Sequence, residues 1–283
     1  MGTVDEATAR ATIHRALDLG VTAIDTAEAY RASESIVGKA LAGRRRDGVF
    51  LATKVSAEPF TRARVAAALD NSLRALRTDR VDLYQLHRYP REVPLEEAIG
   101  ALADAQRSGK ARYIGVSNFT TEQLDAARKP LPIQSIQPRL NVFDAEPTRD
   151  LLPYCAAHGV GVIVHSPLAK GLLTGKYRPG HVFPADDERA GFPRFQGETF
   201  ARHVAAADKL ADVAAERGGS LLQLAIAWTL RQPGVTSCIV GAKSPEQVDD
   251  HLGAVDLAAR LTDDDLARIA TIAAAVTISG LKG

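Results

Sequence analysis

The sequence is poor in sulfur and in aromatic rings. Its 283 residues include 2 cysteines, 1 methionine and 1 tryptophan, and aromatic residues make up 5%. Two thiols, Cys155 and Cys238, cannot build a disulfide framework or a four-thiolate zinc site. They read as small buried residues in a reducing compartment. Net charge is nearly absent too. The 35 basic and 34 acidic residues leave a formal +1, so no excess points to nucleic acid or an anionic membrane. No apolar run approaches the ~20 residues that cross a bilayer. Met1 to Arg15 mixes acids, threonine and arginine and lacks the apolar core of a signal peptide. These absences predict a soluble, cytoplasmic protein with no nucleic-acid partner, no membrane partner and no metal site. They leave the oligomeric state open.

What is present is an ordinary globular composition, 46% apolar and 24% charged. Short β-branched runs alternate with longer stretches of helical period. The strand-like runs are Val21–Asp25, Val49–Thr53, Val81–Leu86, Arg112–Val116, Ser135–Arg139, Val160–His165 and Ser237–Val240. Between them, Val65, Leu69, Leu73 and Leu76 share one helix face, as do Ile13, Ala16 and Leu17, and later Ile99, Leu102 and Ala103. Gly20, Gly109 and Gly159 end helical patterns where a left-handed residue suits the cap. Thr120 with Gln123 and Ser244 with Gln247 have capping-box spacing, and Pro245 suits a first helical position.

This βα unit recurs about every thirty residues, the length of a strand–helix–strand repeat. The apolar, unalternated strands suit a parallel sheet covered on both faces. No Gly-x-Gly-x-x-Gly follows any strand, so an open dinucleotide-binding sheet lacks its fingerprint. The reading is α/β: a (β/α)8 TIM barrel forming one domain over residues 1–283, with seven strands visible and the first missing. The chain starts almost directly on a helix, Glu6 to Leu19. Either it lacks its natural N-terminus, or Met1 to Val4 is a strand remnant. Residues 170–200 break the rhythm, with five glycines and three prolines and no clear period. A loop this long is commonly a lid or a binding loop.

Three polar residues end successive strands: Asp25, Lys54 and His87. A barrel brings all three to one mouth, and Tyr30, five residues after Asp25, can reach back over it. A phenol of pKa about 10 is a poor acid near neutrality. An adjacent ammonium lowers that value, so Lys54 is expected to acidify Tyr30 while Asp25 keeps Lys54 charged. His87 is placed to hydrogen-bond a substrate oxygen. The set suits proton donation to a carbonyl under reduction, or proton removal from an alcohol under oxidation.

The segments GVTAIDTAEAY, FLATKV, VDLYQLH, GKARYIGVSNF, SPLAKGLLTGKY and IVGAKSPEQVDDHL resemble the aldo-keto reductase superfamily, in order, from about Ala11 to Leu252. The resemblance implies a metal-free barrel that moves hydride between NADP(H) and a small-molecule carbonyl substrate. It makes Tyr30 the general acid, with Asp25, Lys54 and His87 beside it. It implies that Ser117, Asn118 and Gln137 hold the nicotinamide carboxamide, with His165 in the place of the family's stacking aromatic. Ser166, Leu168, Gly171, Leu172, Leu173, Gly175 and Lys176 would contact the pyrophosphate side, making 170–200 a loop that covers the cofactor. Gly241, Lys243, Ser244, Gln247, Asp250 and His251 would take the adenosine end, with NADP(H) preferred to NAD(H). Gln247 stands where many members have arginine, His251 where they have asparagine, and Arg31 where a glycine commonly follows the tyrosine. The family's N-terminal hairpin and first strand have no counterpart. An alternative is an NADP-binding, redox-sensing regulatory subunit with little or no turnover.

Overall fold

A computed structural model describes residues 4–42 and 46–276. Seven strands form one parallel sheet in strict chain order: β1 (Ala23–Asp25), β2 (Phe50–Val55), β3 (Val81–Leu86), β4 (Ala111–Ser117), β5 (Ser135–Gln137), β6 (Gly161–Val164) and β7 (Ser237–Cys238). In register, Asp25 lies opposite Ala52, Lys54 opposite Gln85, and Ser117 opposite Gln137. Helix α1 (Glu6–Asp18) precedes β1, and α2 (Ser33–Leu41), α3 (Arg62–Leu76), α4 (Leu95–Arg107), α5 (Thr121–Arg128) and α6 (Leu151–His158) connect the first six strands. Helices α7 (Gly197–Glu216) and α8 (Leu221–Leu230) precede β7, and α9 (Pro245–Arg260) and α10 (Asp263–Ala274) follow it. Sequential parallel pairing with a helix after each strand is the barrel-type α/β arrangement expected.

Among the described residues β1 and β7 do not pair with each other, so the sheet has two edges. The helices come round nonetheless: α1 packs on α9, and Arg15 Nη2 lies 2.7 Å from Asp249 Oδ1. Of the strand remnant considered at Met1 to Val4, residues 1–3 lie outside the described ones, and Val4 belongs to no strand.

The core follows the apolar periods. Val65, Leu69, Leu73 and Leu76 on α3 are all buried, as are Ile99 and Leu102 on α4. Helix α8 is apolar almost all round and correspondingly buried. Gly38 on α2 lets that helix touch the end of α3, where an added Cβ would lie 2.4 Å from Ala75 O. Gly20, Gly109 and Gly159 take positive φ, as their positions demand.

Several boundaries differ from the sequence pattern. Strand β1 begins at Ala23 rather than Val21, because the Val21 N–H bonds to Ala16 O and closes the end of α1. Strand β7 has two residues and lies at a sheet edge. The Thr120–Gln123 capping box forms, but Ser244 makes no side-chain cap bond; Gln247 Oε1 instead accepts from Lys243 N at 2.8 Å. Residues 170–200 are packed, not a free excursion. They hold short 3-10 turns, α7 starts inside them at Gly197, and Tyr177, Phe183 and Phe195 pack with Phe200 around Arg189.

Candidate active site

Strand order places Asp25, Lys54 and His87 at the carboxyl ends of three neighbouring strands, and Tyr30 in the turn after β1. The Lys54 side chain is 0% exposed and Asp25 6%. Lys54 Nζ donates to Asp25 Oδ1, and to Thr26 O at 2.9 Å. Gln137 Nε2 donates to the other Asp25 oxygen at 2.9 Å. Donors reach the carboxylate from both sides and a carbonyl accepts from the amine, a polarity that suits an ion pair. Burial still raises the Asp25 carboxyl and lowers the Lys54 amine, each opposed by the other's charge.

Tyr30 lies at the mouth, 44% exposed. Lys54 Nζ sits 5.1 Å from its ring centroid, and Tyr30 Oη lies 3.4 Å from His87 Nε2 with the two rings edge to face. The expected acidification of the phenol is overturned. Partial burial, reinforced by the Asp25 charge, pushes Tyr30 up to about 12. The physical reason is that Asp25 neutralises the ammonium that was to stabilise phenolate, and Lys54 lies over the ring while bonded elsewhere. Tyr30 therefore keeps its proton throughout the neutral range. Burial, with Lys54 and Arg88 beside it, holds His87 down to about 4. His87 is a neutral imidazole at pH 7.

Next to this cluster lie Ser117, Asn118 and His165. Asn118 has φ +59 and donates through Nδ2 to His87 O at 3.1 Å and Ser117 Oγ at 3.0 Å. Its Oδ1 therefore faces His165 Nε2, 2.9 Å away, and accepts the ring hydrogen. His165 Nδ1 is then an acceptor for Ser166 Oγ at 2.9 Å. Burial, then Arg139 and Lys54, lowers His165 to about 4.

Ser166, Ala169, Lys170, Gly171 and Gly175 all have positive φ, so residues 166–175 form a tight, irregular turn. Leu172 and Leu173 send their side chains into the core, so only their backbone remains for a ligand; Lys176 is exposed. At the start of α9, Gly241 and Lys243 are exposed and the helix N-terminus has no side-chain cap. Asp250 instead receives Gln223 Nε2, at 3.0 Å on its carbonyl and 3.1 Å on Oδ1. His251 is half-buried.

Other residues of the site were not anticipated. Asn141 Nδ2 holds Ser166 O at 3.0 Å and Asp144 Oδ2 at 3.0 Å. Arg194, from the long connection, grips Asp144 with two bonds of 2.8 and 2.5 Å. A hydrogen-bonded line thus runs from Arg194 through Asp144, Asn141, Ser166, His165 and Asn118 to the backbone of His87. Glu28 accepts from Ser56 N at 2.5 Å, Ala57 N at 2.8 Å and Arg64 Nη2 at 3.0 Å. That ties the Tyr30 turn to the end of β2. An acid two residues before the tyrosine was the one signal for this tie. Both cysteines are free, and burial raises both thiols. Among the described residues no His, Cys, Asp and Glu cluster could hold a metal, and no helix is long and apolar enough to cross a membrane.

The family model described as the aldo/keto reductase family matches residues 1–274. The chain is 40% identical over 260 residues to the aldo-keto reductase YhdN of Bacillus subtilis (strain 168), covering 88% of this chain and 78% of that one. It is 31% identical over 271 residues to the aldo-keto reductase yakc [NADP(+)] of Schizosaccharomyces pombe, covering 90% and 79%. Its fold matches the glycerol dehydrogenase AKR11B4 from Gluconobacter oxydans with a TM-score of 0.87 and 35% identity, over 97% of this chain and 87% of that one. With its strand-end cluster and its barrel-type sheet, the chain belongs to the aldo/keto reductase family of oxidoreductases.

Proposed function

We propose that this protein reversibly reduces aldehydes or ketones to alcohols with NADPH, working in the cytoplasm as a single barrel unit on a small-molecule carbonyl. The observation that carries the reading is the meeting of Tyr30 with His87 and the Lys54–Asp25 pair at one mouth. When bound, the reduced nicotinamide supplies hydride. The chain's own residues supply the proton and the geometry. Tyr30 Oη holds the proton for the carbonyl oxygen, and its raised pKa keeps that proton in place until the oxygen gains charge. Once a carbonyl is bound, the single ring hydrogen of neutral His87 is shared between Tyr30 Oη and that oxygen.

The residues present fit a dinucleotide phosphate. The N-terminus of α9 carries no side-chain cap and Lys243 sits exposed beside it, a positive end that suits an anion such as a 2′-phosphate. The positive-φ turn at 166–175 presents backbone with few intruding side chains, which suits the pyrophosphate. Gln137 bonds to Asp25, Ser117 to the Gln137 carbonyl and Asn118 to Ser117, a linked set of hydroxyl and amide groups suited to the carboxamide.

The test is NADPH consumption, followed by absorbance, across aromatic aldehydes, aliphatic aldehydes, sugars and pyridoxal. Turnover with at least one class is expected. Tight NADPH binding with no turnover on any class would overturn the reading in favour of a regulatory, redox-sensing role.

A further inference from the structure

Ser56 follows β2, two residues beyond Lys54, and is 4% exposed. Its backbone is fixed by Glu28, itself held by Arg64. Its hydroxyl lies 2.6 Å from His87 Nδ1, and among the described residues it makes no other hydrogen bond. We infer that Ser56 is a positioning residue that donates to His87 Nδ1 and thereby locks the ring hydrogen onto Nε2, an assignment that rests on the reductase reading for its consequence.

The number of hydrogens fixes the direction of this bond. A serine hydroxyl has one, and His87 Nδ1 is the acceptor within reach. A neutral imidazole also has one, so an accepting Nδ1 leaves it on Nε2. Nε2 faces Tyr30 Oη at 3.4 Å, which makes the phenol oxygen the acceptor. The phenol hydrogen is then directed away from His87 and stays available to an incoming carbonyl oxygen. In the other tautomer the bare Nε2 would draw that hydrogen toward the histidine and offer the carbonyl nothing. One buried hydroxyl outside the strand-end cluster thus sets the direction in which the Tyr30–His87 pair is polarised. Nothing in the spacing of Ser56 marks this role. It emerges because Glu28 folds the Tyr30 turn against the end of β2.

The experiment is nitrogen NMR of histidine-labelled full-length protein at neutral pH, paired with reduction kinetics. In the wild type, His87 Nε2 is expected to be protonated and Nδ1 bare. In Ser56→Ala the two tautomers mix, and kcat falls roughly tenfold, on the scale of one lost hydrogen bond. NADPH affinity holds within about twofold, since the Ser56 side chain makes no hydrogen bond to the cofactor-side residues above. Ser56→Thr, which keeps the hydroxyl, restores the spectrum and the rate. A wild-type spectrum with hydrogen on Nδ1, or a Ser56→Ala spectrum identical to wild type, would overturn the assignment. Because the wild-type spectrum needs no turnover, a protein with the expected tautomer and no activity would refute the reductase reading and leave the Ser56 assignment standing.

Discussion

Replacing Arg194 by methionine takes two charge-assisted bonds from the buried Asp144 carboxylate and leaves it Asn141 as a side-chain donor, with the charge of Arg139 acting on it as well. The two side chains are 8% and 13% exposed and share two charge-assisted bonds. Burial works to raise the Asp144 carboxyl, and the bonds and charge of Arg194, with Asn141 and Arg139, together outweigh it and leave the group below its usual range. Removing one member of such a pair costs about 3–5 kcal/mol, because the other charge stays buried without its partner. At about 2 °C per kcal/mol for a chain of this size, Tm should fall by roughly 6–10 °C. Asp144→Leu should cost a similar amount. The double variant, which removes both charges, should recover much of the loss, because the penalty is for an orphaned charge and not for a missing bond. Thermal unfolding of the three variants measures the coupling. The same variants should weaken NADPH binding by about tenfold, because Asn141 would hold Ser166 O from a looser base. Additive losses in the cycle, with unchanged NADPH affinity, would refute the idea that this pair anchors the 166–175 turn.

Further outcomes follow from the same geometry. With Tyr30 near 12, alcohol oxidation should climb with pH up to about 10 without a plateau, because it requires loss of the phenol proton; a plateau near pH 8 would show an acidified tyrosine. His87, facing Lys54, Tyr30, Ser56, Glu28 and Arg88, and His165 are both held near 4 against an unfolded value of about 6.5. The unfolded chain therefore binds more protons between those values, so stability is greatest above about 6.5 and falls as pH drops toward 4, measurable by urea unfolding across that range. Gly38→Ala should destabilise by about 1–3 kcal/mol, because its Cβ meets the backbone at the end of α3. Lys243→Ala should weaken NADPH binding about fivefold or more while leaving NADH binding nearly unchanged, read by fluorescence titration.

Much of the fold is legible in the sequence where one local rule acts alone. The face Val65–Leu69–Leu73–Leu76 identifies the buried side of α3, and Gly159 marks the end of α6. Asp25, Lys54 and His87 can be gathered from the sequence because residues at strand ends share a mouth once the sheet is parallel. What escapes is set by partners far along the chain. The start of β1 moves because Val21 is spent on the cap of α1. Asp144 and Arg194 lie fifty residues apart with no motif joining them. The direction of the Tyr30 shift fails for a related reason. The sequence places both Lys54 and Asp25 near the phenol, but the balance is set by the fold: partial burial of Tyr30 and the Asp25 charge outweigh an ammonium that bonds to Asp25 and Thr26 O.

Tyr30→Phe removes the phenol hydroxyl and keeps the ring against His87 and Lys54. Measured with NADPH and the best carbonyl substrate, kcat should fall roughly a hundredfold to ten-thousandfold, the range of a lost general acid. The Kd for NADPH should stay within about twofold. A variant that binds NADPH normally and still reduces the carbonyl at close to the wild-type rate would contradict the account, because the proton would then come from another group.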